Sequence, residues 1–238
     1  RHKDWAVIIC LVGGGQEINT GEAGLPEWFD SIRREFPDWD VYVTPQLNDE
    51  EYRRSYSWED MIAGLNVTEI EKLHLSTSVR SFRTPDLASF VKAVLDVDIQ
   101  NAKDLLERFK NKYPIILTRD LGKAKDWVRA QCKGTMRYGL LASSGALRLK
   151  PEGIFVKNDI SVANWFLNGK DDVRSSYYLE DVVTEFDIQG LELDYSIVAW
   201  DADFRFENNE WHYYNFSGSR WNNVNLEDKR IYLKNSYR

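Results

Sequence analysis

Short, almost purely apolar runs recur along the chain, each followed by a polar turn and then a helix-length amphipathic segment. This alternation constrains the fold more than any other feature. Trp5–Val12 (WAVIICLV), Tyr113–Asp120, Tyr138–Ser144, Asp181–Thr184 and Tyr195–Asp201 read as strands. A run without polar alternation suits a strand buried on both faces, as in a parallel sheet. Asp40–Thr44 reads as a further short strand. Among them, Pro26–Phe36 sets Trp28, Phe29, Ile32 and Phe36 on one helical face, and Asp49–Leu65 is helix-like. Pro85–Tyr113 carries two successive apolar patterns, Leu87 to Leu95 and Ala102 to Phe109. Leu121–Lys133 turns Ala124, Trp127 and Val128 inward, and Val162–Leu167 is a short helix. The β–α–β order predicts an α/β fold: a mostly parallel sheet flanked by helices, with right-handed crossovers.

In such sheets, ligands sit beyond the carboxyl ends of the strands. Two polar turns follow apolar runs there. After Val12 come Gly13, Gly14, Gly15, Gln16, Glu17, Ile18 and Asn19. Three glycines let the backbone approach a ligand closely; a plain strand-to-loop turn is the competing reading. The second turn is Thr184–Asp194 (TEFDIQGLELD), which combines acids, Gln189 and Gly190. His74–Arg83 reads as a strand-like piece that brings Arg80 and Arg83 to its end. An arginine there offers a fixed fork of donors for phosphate, or forms a structural salt bridge.

The 238 residues allow one large or two modest α/β domains with real cores. A net charge of −7 argues against a surface that grips nucleic acid as a whole, though not against a local basic groove. Cys10 and Cys132 read as reduced thiols, as in a cytoplasmic protein. No apolar run approaches a membrane span and no signal peptide is visible, so no membrane partner is expected. The chain opens at Arg1 without Met and ends at Arg238 just after a helix-like segment, which reads as a piece of something longer.

Several chemistries are missing. There is no G-x-x-x-x-G-K-[ST] phosphate loop. His2, His74 and His212 stand in unrelated contexts, so no nucleophile set or metal-ligand spacing emerges. Asp201 and Asp203 follow an apolar strand, where carboxylates either bind Mg²⁺ or are simply solvated. Phe204–Trp221 interleaves aromatics, among them Phe204, Phe206, Trp211, Tyr213, Phe216 and Trp221, with Asn and Gly and reads as a hairpin turning at Glu207–Glu210, then a loop. Its rings either stack on bases or form a packed core. Leu226–Tyr237 begins a final helix.

Four stretches together resemble the Schlafen-group-3-like DNA/RNA helicase domain, a superfamily-one P-loop NTPase family: Val7–Ile18 (VIICLVGGGQEI), Ile115–Val128 (IILTRDLGKAKDWV), Leu140–Leu149 (LLASSGALRL) and Thr184–Asp194. The resemblance spans nearly the whole chain. It implies two RecA-like domains with ATP and Mg²⁺ in the cleft between them, and single-stranded or duplex nucleic acid as partner. Gln16, beside Gly15, is similar to the glutamine that senses the γ-phosphate. Arg80, with Arg83 as competitor, resembles the arginine that reaches it. Thr184–Leu193 is similar to the motif whose Thr and turn amides, here Thr184, Gln189 and Gly190, contact the nucleic-acid backbone, and whose Glu, here Glu192, contacts the nucleotide. Many relatives carry Lys where this chain has Gln189. The resemblance therefore implies a remnant of a first RecA-like domain over residues 1–75 and most of a second over 76–238. It also implies a chain that does not hydrolyse ATP by itself, with most groups for ATP and Mg²⁺ lying elsewhere.

Two further readings compete. One is a metal-dependent nuclease using Glu192, Asp194 and Asp201, which requires those carboxylates within a few ångströms of each other. The other is a non-catalytic nucleic-acid-binding module built on the aromatic hairpin at 204–221, with Trp211 essential.

Overall fold

A computed structural model describes residues 5–13, 24–53, 56–75 and 85–238. It divides into two compact units, Arg1–Ser76 and Thr77–Arg238.

In the first unit, helix α1 (Gly24–Glu35) leads into strand β1 (Asp40–Val43). Two short helices, α2 (Glu50–Arg53) and α3 (Trp58–Ile62), then return the chain to β2 (Asn66–Glu69), which pairs parallel to β1 from Asp40↔Asn66 to Val43↔Glu69. Leu25, Phe29, Val43, Trp58 and Met61 form the core, with Phe29 set edge-on against Trp58 at 5.9 Å. Ser57 caps α3 by accepting from the Asp60 amide. At the other end of α3, Arg33 donates to the carbonyls of Met61 and Ala63, both at 2.7 Å, so a side chain from α1 satisfies groups that the helix cannot. Gly64 follows with φ +75°, which ends the helical path. The single helical stretch expected over Asp49–Leu65 is thus two helices, and β2 is a strand that the sequence pattern did not announce.

The second unit opens with two helices packed on each other, α4 (Pro85–Leu95) and α5 (Ile99–Phe109), followed by α6 (Leu121–Gln131). Asp98 and Asp120 cap α5 and α6 by accepting from backbone amides three residues on. Three parallel strands follow: β3 (Tyr138–Ala142), β4 (Val182–Val183) and β5 (Tyr195–Ala199), in the spatial order β4-β3-β5. The central strand β3 is buried along most of its length, as a strand covered on both faces must be. Val128 of α6 packs against it with Leu140, Leu179, Val182 and Ile197. Helix α7 (Val162–Leu167) lays the fully buried Trp165 over Gly139; a Cβ there would lie 2.5 Å from the indole. Helix α8 (Glu185–Ile188) lies between β4 and β5.

Beyond β5, β6 (Phe204–Glu207), β7 (Glu210–Ser217) and β8 (Arg220–Asn223) form an antiparallel sheet, and α9 (Glu227–Ser236) follows. The hairpin turns at Asn208 and Asn209, both at positive φ. The expected loop after it is the third strand, β8. Phe204, Leu95, Leu233 and Tyr237 make a second core between this sheet, α4 and α9.

Two expected strands are absent from the described sheets. Trp5–Val12 runs without strand pairing and is exposed, Ile9 at 82%. Ile115–Leu117 does the same, with Leu117 at 99%. Both runs are apolar enough for a buried strand, but a strand also needs a neighbour in register. The described strands of each unit pair among themselves.

Candidate functional site

Strand β4 ends at Val183, fully buried, and Thr184 starts a turn whose base is fixed by hydrogen bonds. The Asp187 carboxylate accepts from both the Thr184 amide and the Thr184 hydroxyl, each at 2.8 Å, the back-reach of a capping box. Thr184 is itself buried, so its hydroxyl serves the turn and not the surface. Gly190 takes φ +79°, a conformation that a side chain resists, and ends the helical path of α8. Gln189, Gly190 and Glu192 are exposed. Further on, Asp194 accepts from the Arg137 amide at 2.7 Å, and the Asp194 amide donates to the Arg137 carbonyl at 2.8 Å.

Register gives this stretch a direction. Val183 pairs with Leu141, and Tyr195 pairs with Tyr138. Thr184 therefore lies at the carboxyl end of the sheet and Asp194 at the amino end, about 17 Å apart along the strands. The stretch is a crossover from one edge to the other. Glu192, two residues before Asp194, is within about 8 Å of the amino edge along the chain, whereas Thr184 and Glu185 belong to the carboxyl edge.

That carboxyl edge holds a polar network. The Glu185 carboxylate accepts from the Ser144 amide at 2.8 Å, the Ser144 hydroxyl at 2.7 Å, Tyr232 at 2.9 Å and Ser236 at 3.1 Å. Beside it, Asp203 is almost completely buried and accepts from the Tyr237 hydroxyl at 2.5 Å and from Ser143 at 3.3 Å. Burial, helped by the nearby negative charge of Asp201, pushes the Asp203 carboxyl up to about 6 against the hydrogen bonds that favour its ionised form. Burial and the same carboxylate push the Tyr237 hydroxyl up as well. Asp201 accepts from the backbone amides of Arg148 and Ala202.

These contacts correct two expectations. Asp201 and Asp203 are not solvated carboxylates presented by a strand end; both are buried and engaged by donors of the protein itself. Nor is the nuclease constellation assembled, because Asp194 and Asp201 sit at opposite ends of β5, about 20 Å apart. Among the described residues, no three His, Cys, Asp or Glu side chains are grouped to hold a metal ion. The aromatic hairpin is likewise a packing element. Trp211 stacks on Phe204 at 4.2 Å, donates through Nε1 to the Val94 carbonyl, and belongs to the core that α4 and α9 cover. It is not a free platform for bases.

Of the residues singled out from the sequence, Gly15, Gln16, Arg80 and Arg83 lie outside the described residues. Thr184, Gln189, Gly190 and Glu192 lie on one crossover, with Thr184 at its buried base. Sequence reasoning missed Glu185 and its partners Ser144, Tyr232 and Ser236. The three partners lie 41 to 51 residues from Glu185 in the chain, and no local spacing connects them to it. The small-residue end of the Tyr138–Ser144 strand was the only visible signal.

No helix among the described residues is long and apolar enough to cross a membrane. No curated protein and no solved structure matches the chain significantly. One family model does, that of the Schlafen group 3 DNA/RNA helicase domain, over residues 1–238. With an α/β architecture of parallel strands and flanking helices and a match running from end to end, the chain belongs to the Schlafen group 3 DNA/RNA helicase-domain family.

Proposed function

We propose that the chain supplies the nucleic-acid-contacting and nucleotide-coupling portion of an ATP-dependent DNA/RNA helicase or translocase. In this reading residues 1–75 are the remnant of one RecA-like domain and residues 76–238 most of a second. The observation that carries it is the crossover at Thr184–Asp194. It has a buried, doubly hydrogen-bonded base and an exposed Gln189-Gly190 tip, in a chain of a helicase-domain family. A tip of this kind presents an amide side chain and backbone groups that bond phosphate oxygens irrespective of base.

When bound, ATP would supply the free energy for movement along the strand. Each unit would contribute its own groups: Gln16 beside Gly15 in the first would bond a terminal phosphate, and in the second Arg80 or Arg83 would pair with phosphate as a bidentate fork while Gly190 and Glu192 would contact a nucleotide. The described residues do not fit a Mg²⁺ site of their own, and the 238 residues contain no phosphate loop. The chain alone is therefore expected not to hydrolyse ATP.

Fluorescence anisotropy with fluorescein-labelled oligo(dT) and oligo(rU) tests the nucleic-acid half of the reading. Binding should weaken as salt rises, and Gln189→Ala should weaken it by about fivefold, the net worth of one ordinary hydrogen bond at an exposed site. A wild-type chain that binds neither strand at low salt, or a Gln189→Ala chain that binds as wild type, would refute it.

A further inference from the structure

The Glu185 carboxylate is the most heavily engaged acidic group at the carboxyl edge. Its four donors come from two elements far apart in sequence: Ser144 follows β3, and Tyr232 and Ser236 are on successive turns of α9. Glu185 is also the first residue of α8, directly after Thr184. A second, parallel contact lies next to it, where Tyr237 at the end of α9 donates to Asp203. The neighbouring serines Ser143 and Ser144 join the two carboxylates, Ser143 to Asp203 and Ser144 to Glu185. Phe186 lies over the Tyr232 ring at 6.4 Å, which adds an apolar contact to the same seam. Helix α9 thus meets the sheet edge through a row of hydroxyls on carboxylates, alongside the apolar Leu233 contact.

Apolar packing alone tolerates small slides of a helix, whereas hydrogen bonds to a charged group fix distance and direction. We propose that Glu185 is a positioning residue. Through Tyr232 and Ser236 it locks α8, and with it the Gln189–Gly190 tip, to α9, and through Ser144 to the end of β3. The affinity of the tip for a nucleic-acid strand then depends on a latch that does not touch the strand. The proposal rests on the reading that this tip contacts nucleic acid. It adds residues that this reading does not contain.

The test measures oligo(dT) affinity and the urea midpoint together for wild type, Glu185→Gln, Tyr232→Phe, Ser236→Ala and Leu233→Ala. Tyr232→Phe removes one hydroxyl and keeps the ring, so it leaves a folded chain to measure even where Glu185→Gln does not. Glu185→Gln keeps acceptor capacity but loses the charge, and should weaken affinity by about fivefold; Tyr232→Phe should do so by about threefold, both within the range of a typical net hydrogen-bond contribution. In a Gln189→Ala background, Tyr232→Phe should add little, because the tip it positions is already gone. Leu233→Ala lowers the midpoint from the same helix without touching Glu185, and should leave the affinity of the folded chain unchanged. Affinity within twofold of wild type for both Glu185→Gln and Tyr232→Phe, with Gln189→Ala still impaired, would overturn the latch alone. Equal weakening by Leu233→Ala would also overturn it, since loss of stability would then explain the effect. A wild-type chain without oligonucleotide binding would overturn the underlying reading and the latch with it.

Discussion

Replacing Asp203 by Asn should change how the stability of this chain depends on pH, in a direction opposite to the usual carboxylate. Asp203 is about 1% exposed, and its carboxyl is raised from 3.8 to about 6. A carboxyl whose folded pKa is raised binds its proton more tightly in the folded state. Its contribution to stability is therefore fully present below about pH 4 and is lost as pH rises through about 6. A shift of about two units corresponds to roughly 3 kcal/mol lost over that window. Asn fits the same space and retains both contacts: Oδ1 still accepts from Tyr237, and Nδ2 can donate to Ser143. It has no proton to lose. Urea unfolding of both chains at a series of pH values isolates the group, because titrations not coupled to Asp203 are common to the two and cancel in their difference. The stability of Asp203→Asn relative to wild type should rise by roughly 3 kcal/mol between about pH 4 and about pH 7 and then stay level. A difference that is flat within about 1 kcal/mol over that range, or one that falls, would refute the assignment of Asp203 as a buried, proton-retaining carboxyl.

Gly139→Ala should lower stability by about 1–3 kcal/mol in urea unfolding, because the new Cβ would meet the Trp165 ring at 2.5 Å and the ring is fully buried. Gly190→Ala should cost about 1–2 kcal/mol through backbone strain at φ +79°, and should weaken oligo(dT) binding more than its stability loss explains, since the strain falls on the tip itself.

The local pattern was legible wherever one element satisfies its own requirements. Pro26–Phe36, Leu121–Lys133 and Val162–Leu167 carry amphipathic faces and sit close to α1, α6 and α7. Tyr138–Ser144 and Tyr195–Asp201 pair as parallel neighbours. The pattern misled where structure depends on a partner. WAVIICLV and the Ile115–Leu117 run have the composition of buried strands, yet neither joins a described sheet, because hydrophobicity selects burial and only a neighbour in register makes a strand. Conversely, Asn66–Glu69 is too short for its β-branched Val67 and Thr68 to show a periodic pattern, and it pairs because β1 offers it an edge.

The same distinction separates what was readable in the site from what was not. Thr184, Gln189, Gly190 and Glu192 are contiguous, so a motif can show them. What holds them is not contiguous: Ser144, Tyr232 and Ser236 converge on Glu185 only after β3, α8 and α9 have packed. Placement also reassigns chemistry. Asp201 and Asp203 look from sequence like paired carboxylates at a strand end. Once buried against Tyr237 and the Arg148 amide, they can no longer be offered to a metal without breaking those bonds. Thr184 looks like a group for the surface, and burial gives its hydroxyl to Asp187. The acidic groups at the carboxyl edge therefore act on the protein's own hydroxyls and amides, while Phe186, Gln189, Gly190, Glu192 and Asp194 are the exposed residues of the crossover. The inward acids fix the turn, and the Gln189-Gly190 tip that they hold is uncharged, with Glu192 the nearest exposed carboxylate along the crossover toward the opposite edge of the sheet.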